Sequence, residues 1–140
     1  MAPDRGGPTT VVGPFEVELQ QLGAPDSGEG STLGRMSIAK HFHGPLEAVS
    51  QGEMLSAMTP VEGSAGYVAF ERVTGTLDGR RGTFVLQHSG VMDRGRPQLT
   101  IHVVPDSGTG ELKGLLGSMQ IQIESGWHSY EFKYEIRSSE

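Results

Sequence analysis

The sequence predicts an all-β fold, a closed antiparallel barrel of about eight strands. Three observations lead there. Apolar residues alternate with period two in a series of short segments. Those segments are separated by Gly-rich turns, and the chain holds 21 glycines spread between them. No segment keeps the helical period over an ordinary helix length. Closure is favoured because it removes the edge strands, and a barrel of about eight strands either fills with side chains or encloses one small ligand.

The clearest element is the hairpin from Tyr67 to Met92. Asp78-Gly79 suits a two-residue type I′ turn, whose central residues both need positive φ. That turn pairs Leu77 with Arg80, Val73 with Phe84, Glu71 with Leu86 and Ala69 with His88. Tyr67, Ala69, Glu71 and Val73 then share a face with Phe84, Leu86 and His88. Glu71 and His88 become diagonal neighbours, and a one-residue slip would separate them.

In chain order, residues 1–13 are rich in Pro, Gly and Thr without periodicity, and are expected to form a loose arm. A single barrel domain is expected over 14–137, with a tail at 138–140. Phe15 to Gln20 alternates strictly, with Phe15, Val17 and Leu19 inward. Gly23 to Ser31 has loop composition. Leu33 to His43 is a strand with Met36, Ile38, Lys40 and Phe42 on one face, which makes Lys40 an inward charge. Leu46 to Thr59 contains helix formers, but its Ser and Gly content favours a strand or two short ones, with a bulge or bend at Gly52. Gln98 to Val104 places Leu99, Ile101 and Val103 on one face. Pro105 to Leu116 breaks the alternation, and Ser107 or Thr109 could cap one helical turn there. Ser118 to Glu124 and Trp127 to Ile136 close the set, with Ser125-Gly126 between them. Tyr130, Phe132, Tyr134 and Ile136 lie on one face of the last strand, together with His128.

Composition bounds the function. A chain of 140 residues is one domain, and it contains no cysteine. That fits a reducing cytoplasm, where the protein is expected. No apolar run is long enough for a bilayer, and the first residues lack the secretory pattern. A net charge of −6 argues against nucleic acid and anionic membranes as partners.

Three motifs occur in order: ERVTGTLDGRRGTFVLQHSG from Glu71, VVPDSGTGELKGLLG from Val103, and GWHSYEFKYEI from Gly126. In them the chain resembles the bacterial domain-of-unknown-function family three-two-two-four, from about Phe15 to Ile136. The resemblance implies a fold like that of the allene oxide cyclase barrels, which are related in shape to the calycins. It does not imply an activity, although barrels of this shape include cofactor-free cyclases as well as binding proteins. The chain departs from the family pattern at Asp106, where glycine is expected.

Glu71 and His88 are the foremost candidate pair. A carboxylate can orient an imidazole, or the two can divide acid and base roles. The same pattern equally suits a buried polar pair that holds register. Lys40 could polarise a carbonyl beside them, and Glu53 could extend the cluster. Tyr67, Phe84, Leu86, Ile101, Tyr130, Tyr134 and Met36 are expected to line a pocket for a small apolar molecule, with Trp127 nearby. Met54, Met58, Met92 and Met119 could soften that lining. His41 and His43 share a strand face, but no third metal ligand is evident, so no metal is expected. His102 and His128 have no stronger claim. Ser107 to Gly110 could offer backbone N–H groups to an anion or simply form a turn.

Three functions are compatible with these residues. The first is a cofactor-independent isomerase, cyclase or lyase using Glu71, His88 and Lys40. The second is a lipocalin-like carrier, and the third a filled barrel serving as an interaction module. The outward Val68, Phe70 and Val85 suit a homo-oligomer under each.

Overall fold

The computed structural model describes residues 7–138. Nine strands follow one another: β1 (Thr9–Gln21), β2 (Asp26–Gly28), β3 (Ser31–Phe42), β4 (Leu46–Met58), β5 (Ala65–Leu77), β6 (Arg80–Asp93), β7 (Arg96–Val103), β8 (Leu115–Glu124) and β9 (Trp127–Ile136). They form one antiparallel sheet in the order β1-β9-β8-β7-β6-β5-β4-β3-β2, and β1 also pairs with β3. That last pairing closes an eight-stranded barrel and leaves the short β2 as an extra strand on β3. Among the described residues the helical content is one 3-10 turn, Gly110–Leu112, and no helix is long and apolar enough to cross a membrane.

The hairpin follows its turn chemistry. Asp78 and Gly79 both have positive φ, 49° and 85°. Leu77 pairs with Arg80, Glu71 with Leu86 and Ala69 with His88, as the two-residue loop requires. Arg94-Gly95 and Ser125-Gly126 repeat the same positive-φ pair between β6 and β7 and between β8 and β9. Replacing Gly79 by alanine puts a Cβ at a φ that L-residues avoid. It is expected to cost about 1 kcal/mol in urea-monitored unfolding, with no change in the slope.

Several segments differ from the expectation. Residues 9–13, expected in the arm, are strand: Thr9 to Pro14 pair with β9, because the barrel needs β1 to bridge β9 and β3. Residues 1–6 lie outside the described residues. The loop from Gly23 to Ser31 contains β2. The stretch after Pro45 is one unbroken strand, and Gly52 stays in register between Ile38 and Glu71. It is a point of close approach instead of a bulge: a Cβ there would lie 1.9 Å from the Phe70 carbonyl oxygen. Asp106 adopts φ 65°, the conformation that glycine takes most easily.

The two ends of the barrel differ. Near the β3–β4 and β5–β6 turns the interior is solid. Phe42, Leu46, Leu77, Phe84, Leu112, Leu115, Phe132 and Tyr134 are all buried there. Phe84 and Phe132 stack at 5.9 Å. The segment between β7 and β8 lies along β6. Ser107 Oγ accepts from the Val85 N–H at 3.0 Å, and Thr109 Oγ1 accepts from the Thr83 N–H at 3.0 Å. Neither hydroxyl caps the 3-10 turn; both replace the strand partner that β6 lacks there, and Leu112 packs into the core. At the other end, the inward-facing Leu19, Met58, Met92, Leu99 and Ile123 are exposed. On the outer wall Leu55, Val68 and Phe70 form an exposed apolar strip, while Val85 is half-buried.

Candidate functional site

Between the solid end and the open end the interior is polar. Lys40 of β3, Ser50 of β4, Glu71 of β5 and His88 of β6 are the buried polar residues of the chain's described part. Each lies on the inward parity of its strand, and adjacent-strand pairing brings them together: Lys40 opposite Ser50, Ser50 opposite Val73, and Ala69 opposite His88. The side chains meet at the Glu71 carboxylate. Lys40 Nζ donates to Oε2 at 2.8 Å, His88 Nε2 to the same oxygen at 2.6 Å, and Ser50 Oγ to Oε1 at 2.5 Å. Lys40 also has the rings of Phe15 and Phe42 within 5.2 and 5.6 Å. No buried polar side-chain atom among the described residues lacks a partner.

The electrostatics follow from this geometry. Burial pushes the Glu71 carboxyl up. The hydrogen bond from His88, the charge and hydrogen bond of Lys40 and the hydroxyl of Ser50 together outweigh it and hold the group at about 2. An ionised carboxylate only accepts, so His88 Nε2 carries a hydrogen. In the neutral ring Nδ1 is then the acceptor, and it faces the Tyr67 hydroxyl at 3.4 Å. Burial, followed by the Glu71 charge, raises the Tyr67 phenol above its ordinary 10, so it stays protonated and can donate.

Tyr67 connects this cluster to a cavity. A pocket of about 460 Å³ occupies the open end, lined by Met54, Ser56, Tyr67, Met92, Leu99 and Ile123 among others. Its surface is apolar almost throughout. The Tyr67 ring lies over Gly90, where a Cβ would come within 2.4 Å of the ring. This absence of a side chain at Gly90 lets the ring turn its hydroxyl inward to His88.

The structure brings Glu71, His88 and Lys40 together and sets Tyr67 beside them. The other expected pocket residues go elsewhere. Phe84, Leu86 and Ile101 are fully buried core. Tyr130 and Tyr134 belong to the solid end. The Tyr130 hydroxyl donates to the His43 carbonyl at 2.7 Å and accepts from the Leu46 N–H at 3.1 Å, and Tyr134 donates to Asp78. Met36 is half-buried beside Met54 and outside the pocket lining. Met54, Met58 and Met92 do line it, whereas Met119 is core. Trp127 points outward and is exposed, because its strand parity opposes that of Tyr130. Glu53 also faces outward, where Arg35 Nε donates to it at 3.1 Å. The residue that sequence reasoning missed is Ser50. The sequence left the face of this segment open, because a bulge or bend was expected at Gly52; the unbroken strand β4 puts Ser50 inward, against Glu71.

A second polar group stands on the outer wall. His41 and His43 stack with ring centroids 4.1 Å apart. His43 Nε2 lies 2.8 Å from Glu16 Oε1, and His41 Nε2 lies 3.2 Å from Glu47 Oε2. Glu47 also accepts from the Gly44 N–H at 3.2 Å.

Comparison with known proteins places these observations in a family context. The family described as "Protein of unknown function (DUF3224)" matches residues 11–134. The chain is similar to a crystal structure of a protein of unknown function from the DUF3224 family of Shewanella oneidensis MR-1. The two share 54% identity and a TM-score of 0.91, over 94% of this chain and 99% of the other. No curated protein matches the chain.

Proposed function

Because the chain belongs to the DUF3224 family of small β-barrels, whose description assigns no activity, we propose from its own cavity that it binds a small, largely apolar molecule in the open end of the barrel. One observation carries this reading: an apolar cavity of about 460 Å³ set into a barrel whose other end is solid. Ligand pockets run from about 300 to 1,000 Å³ and combine apolar walls with few polar groups. Here the walls are methionine, leucine and isoleucine side chains, and Tyr67 is the link to the polar interior.

Leu99→Arg places a charge in that wall at an exposed rim position. It is expected to weaken binding of the uncharged apolar fluorescent probe Nile red by a factor on the order of ten or more, with unfolding unchanged. Equal affinity in the variant and the parent sinks the reading.

Cofactor-independent proton transfer is the second reading, supported by the chain Tyr67–His88–Glu71. In it Glu71 orients and polarises His88, and His88 is the base acting through the Tyr67 hydroxyl. Glu71 is unsuited to be the base itself, since Lys40, Ser50 and His88 already occupy its oxygens. The Tyr67 ring stands between the cavity and His88, so turnover requires Tyr67 to take part or move. A bound compound recovered unchanged after long incubation favours carriage. Conversion that disappears in Tyr67→Phe favours proton transfer.

A further inference from the structure

We propose that His41, His43 and Glu16 form a binding site for a zinc-class divalent metal on the outer wall, with Glu47 orienting His43. The site lies near the solid end, away from the apolar cavity, and does not depend on it. Its three donors come from two strands, Glu16 from β1 and the two histidines from the end of β3 and just beyond it, and the orienting Glu47 comes from the start of β4. Glu16 is paired directly with His41 across the β1–β3 seam. The His-x-His spacing puts both imidazoles on one strand face.

The geometry suits chelation. One nitrogen from each histidine and one Glu16 oxygen all lie within 4.8 Å of one another. A tetrahedral zinc ion with bonds of about 2.0–2.1 Å holds its donors roughly 3.3 Å apart, so closing the site takes only small rotations. The two rings stack on each other, but each group borders solvent and so has room to turn: the side-chain exposure is 49% for His41, 35% for His43 and 71% for Glu16. The second shell is also present. With His43 Nε2 on the metal beside Glu16, His43 Nδ1 faces Glu47 Oε2 at 3.6 Å, and Glu47 is itself anchored by the Gly44 N–H. A carboxylate behind a metal-bound imidazole is the usual arrangement.

The donor set selects the metal. Two imidazoles with one carboxylate favour zinc, copper or nickel, whereas calcium and magnesium want oxygen ligands throughout. Three protein donors on an exposed wall leave a coordination position to water. A metal held there would tie β1 to the β3–β4 hairpin across the seam that closes the barrel.

The test is calorimetric titration of zinc chloride into tag-free, chelator-treated protein, with cobalt(II) absorption as a readout of imidazole ligation. The expected result is one equivalent bound, a cobalt spectrum of low coordination number, and a rise in melting temperature on adding zinc. His41→Ala and His43→Ala should each weaken binding at least tenfold, and the pair should abolish it. Glu47→Gln should weaken it by roughly ten- to a hundredfold as an orienting partner. His102→Ala, at an exposed histidine on the outward face of β7, should leave it unchanged. Absence of saturable binding up to about millimolar zinc, or binding that survives the double histidine variant, overturns the proposal. His41 and Glu47 are exposed and His43 is half-buried at the surface, and melting curves of the variants without metal will show that they fold.

Discussion

Glu71→Ala is expected to destabilise the protein by about 3–5 kcal/mol, the range for removing one partner of a buried ion pair. For a domain of this size that corresponds to a fall of roughly 10–15 °C in melting temperature. The cost arises because Lys40 and Ser50 lose their acceptor at once and His88 loses the partner of Nε2, all in a site closed to water. Replacing the group as a set by apolar residues, with Lys40→Met, Glu71→Leu and His88→Leu together, should cost far less than Glu71→Ala alone. Denaturant unfolding of the two variants checks this. Equal costs would mean that the charges are stabilising as a net group and not merely mutually dependent.

The same carboxylate sets an acid limit. Glu71 is held at about 2 in the fold against an ordinary 4.5. A carboxyl lowered by folding contributes stability that is fully present above its unfolded value and is lost as pH falls through its folded value. The contribution, on the order of 3 kcal/mol, should therefore fade between about pH 4.5 and pH 2. In Glu71→Gln this part of the pH dependence should vanish, measured as unfolding free energy against pH. A slope in that window identical to the parent's would assign the acid sensitivity to other carboxylates.

Gly52→Val is expected to be the most damaging single change on β4, with a cost of about 3 kcal/mol or more. An added Cβ would sit 1.9 Å from the Phe70 carbonyl oxygen and 2.6 Å from the Glu71 Cα. The obstacle is backbone, so no side-chain rotation relieves it, and β4 must move off β5. That movement would also withdraw Ser50, two residues away, from the Glu71 carboxylate. The expected signature is lower stability together with a higher apparent pKa for acid unfolding. Gly34→Val serves as the control: there the nearest atom to an added Cβ is the Ser56 hydroxyl at 3.1 Å, which can rotate aside.

Local chemistry made much of this protein legible in its sequence. A two-residue Asp-Gly loop leaves a hairpin one good register, so the placement of Glu71 and His88 on one inward face followed from counting residues. Alternation with period two identified the principal strands and put Lys40 inside. Gly-rich spacing without a helical period implied closure, because open edges would otherwise remain. Family motifs spread from Glu71 to Ile136 pointed to the same barrel.

What the tertiary structure alone decided is which parts of each strand sit at which height in the barrel. Alternation says inside or outside, but strand tilt and stagger determine which inward residues share a level. This is why Tyr130 and Tyr134, inward by pattern, seal the solid end while Tyr67, equally inward, walls the cavity. It is why Ser50 and Lys40, 21 and 31 residues from Glu71, arrive at its carboxylate. The closing pair β1–β3 likewise sets Glu16 beside His41 and His43, giving two histidines the carboxylate that their own strand could not supply. Sequence encodes such meetings only through the register of pairs far apart in the chain, and that register is settled by closure of the whole sheet.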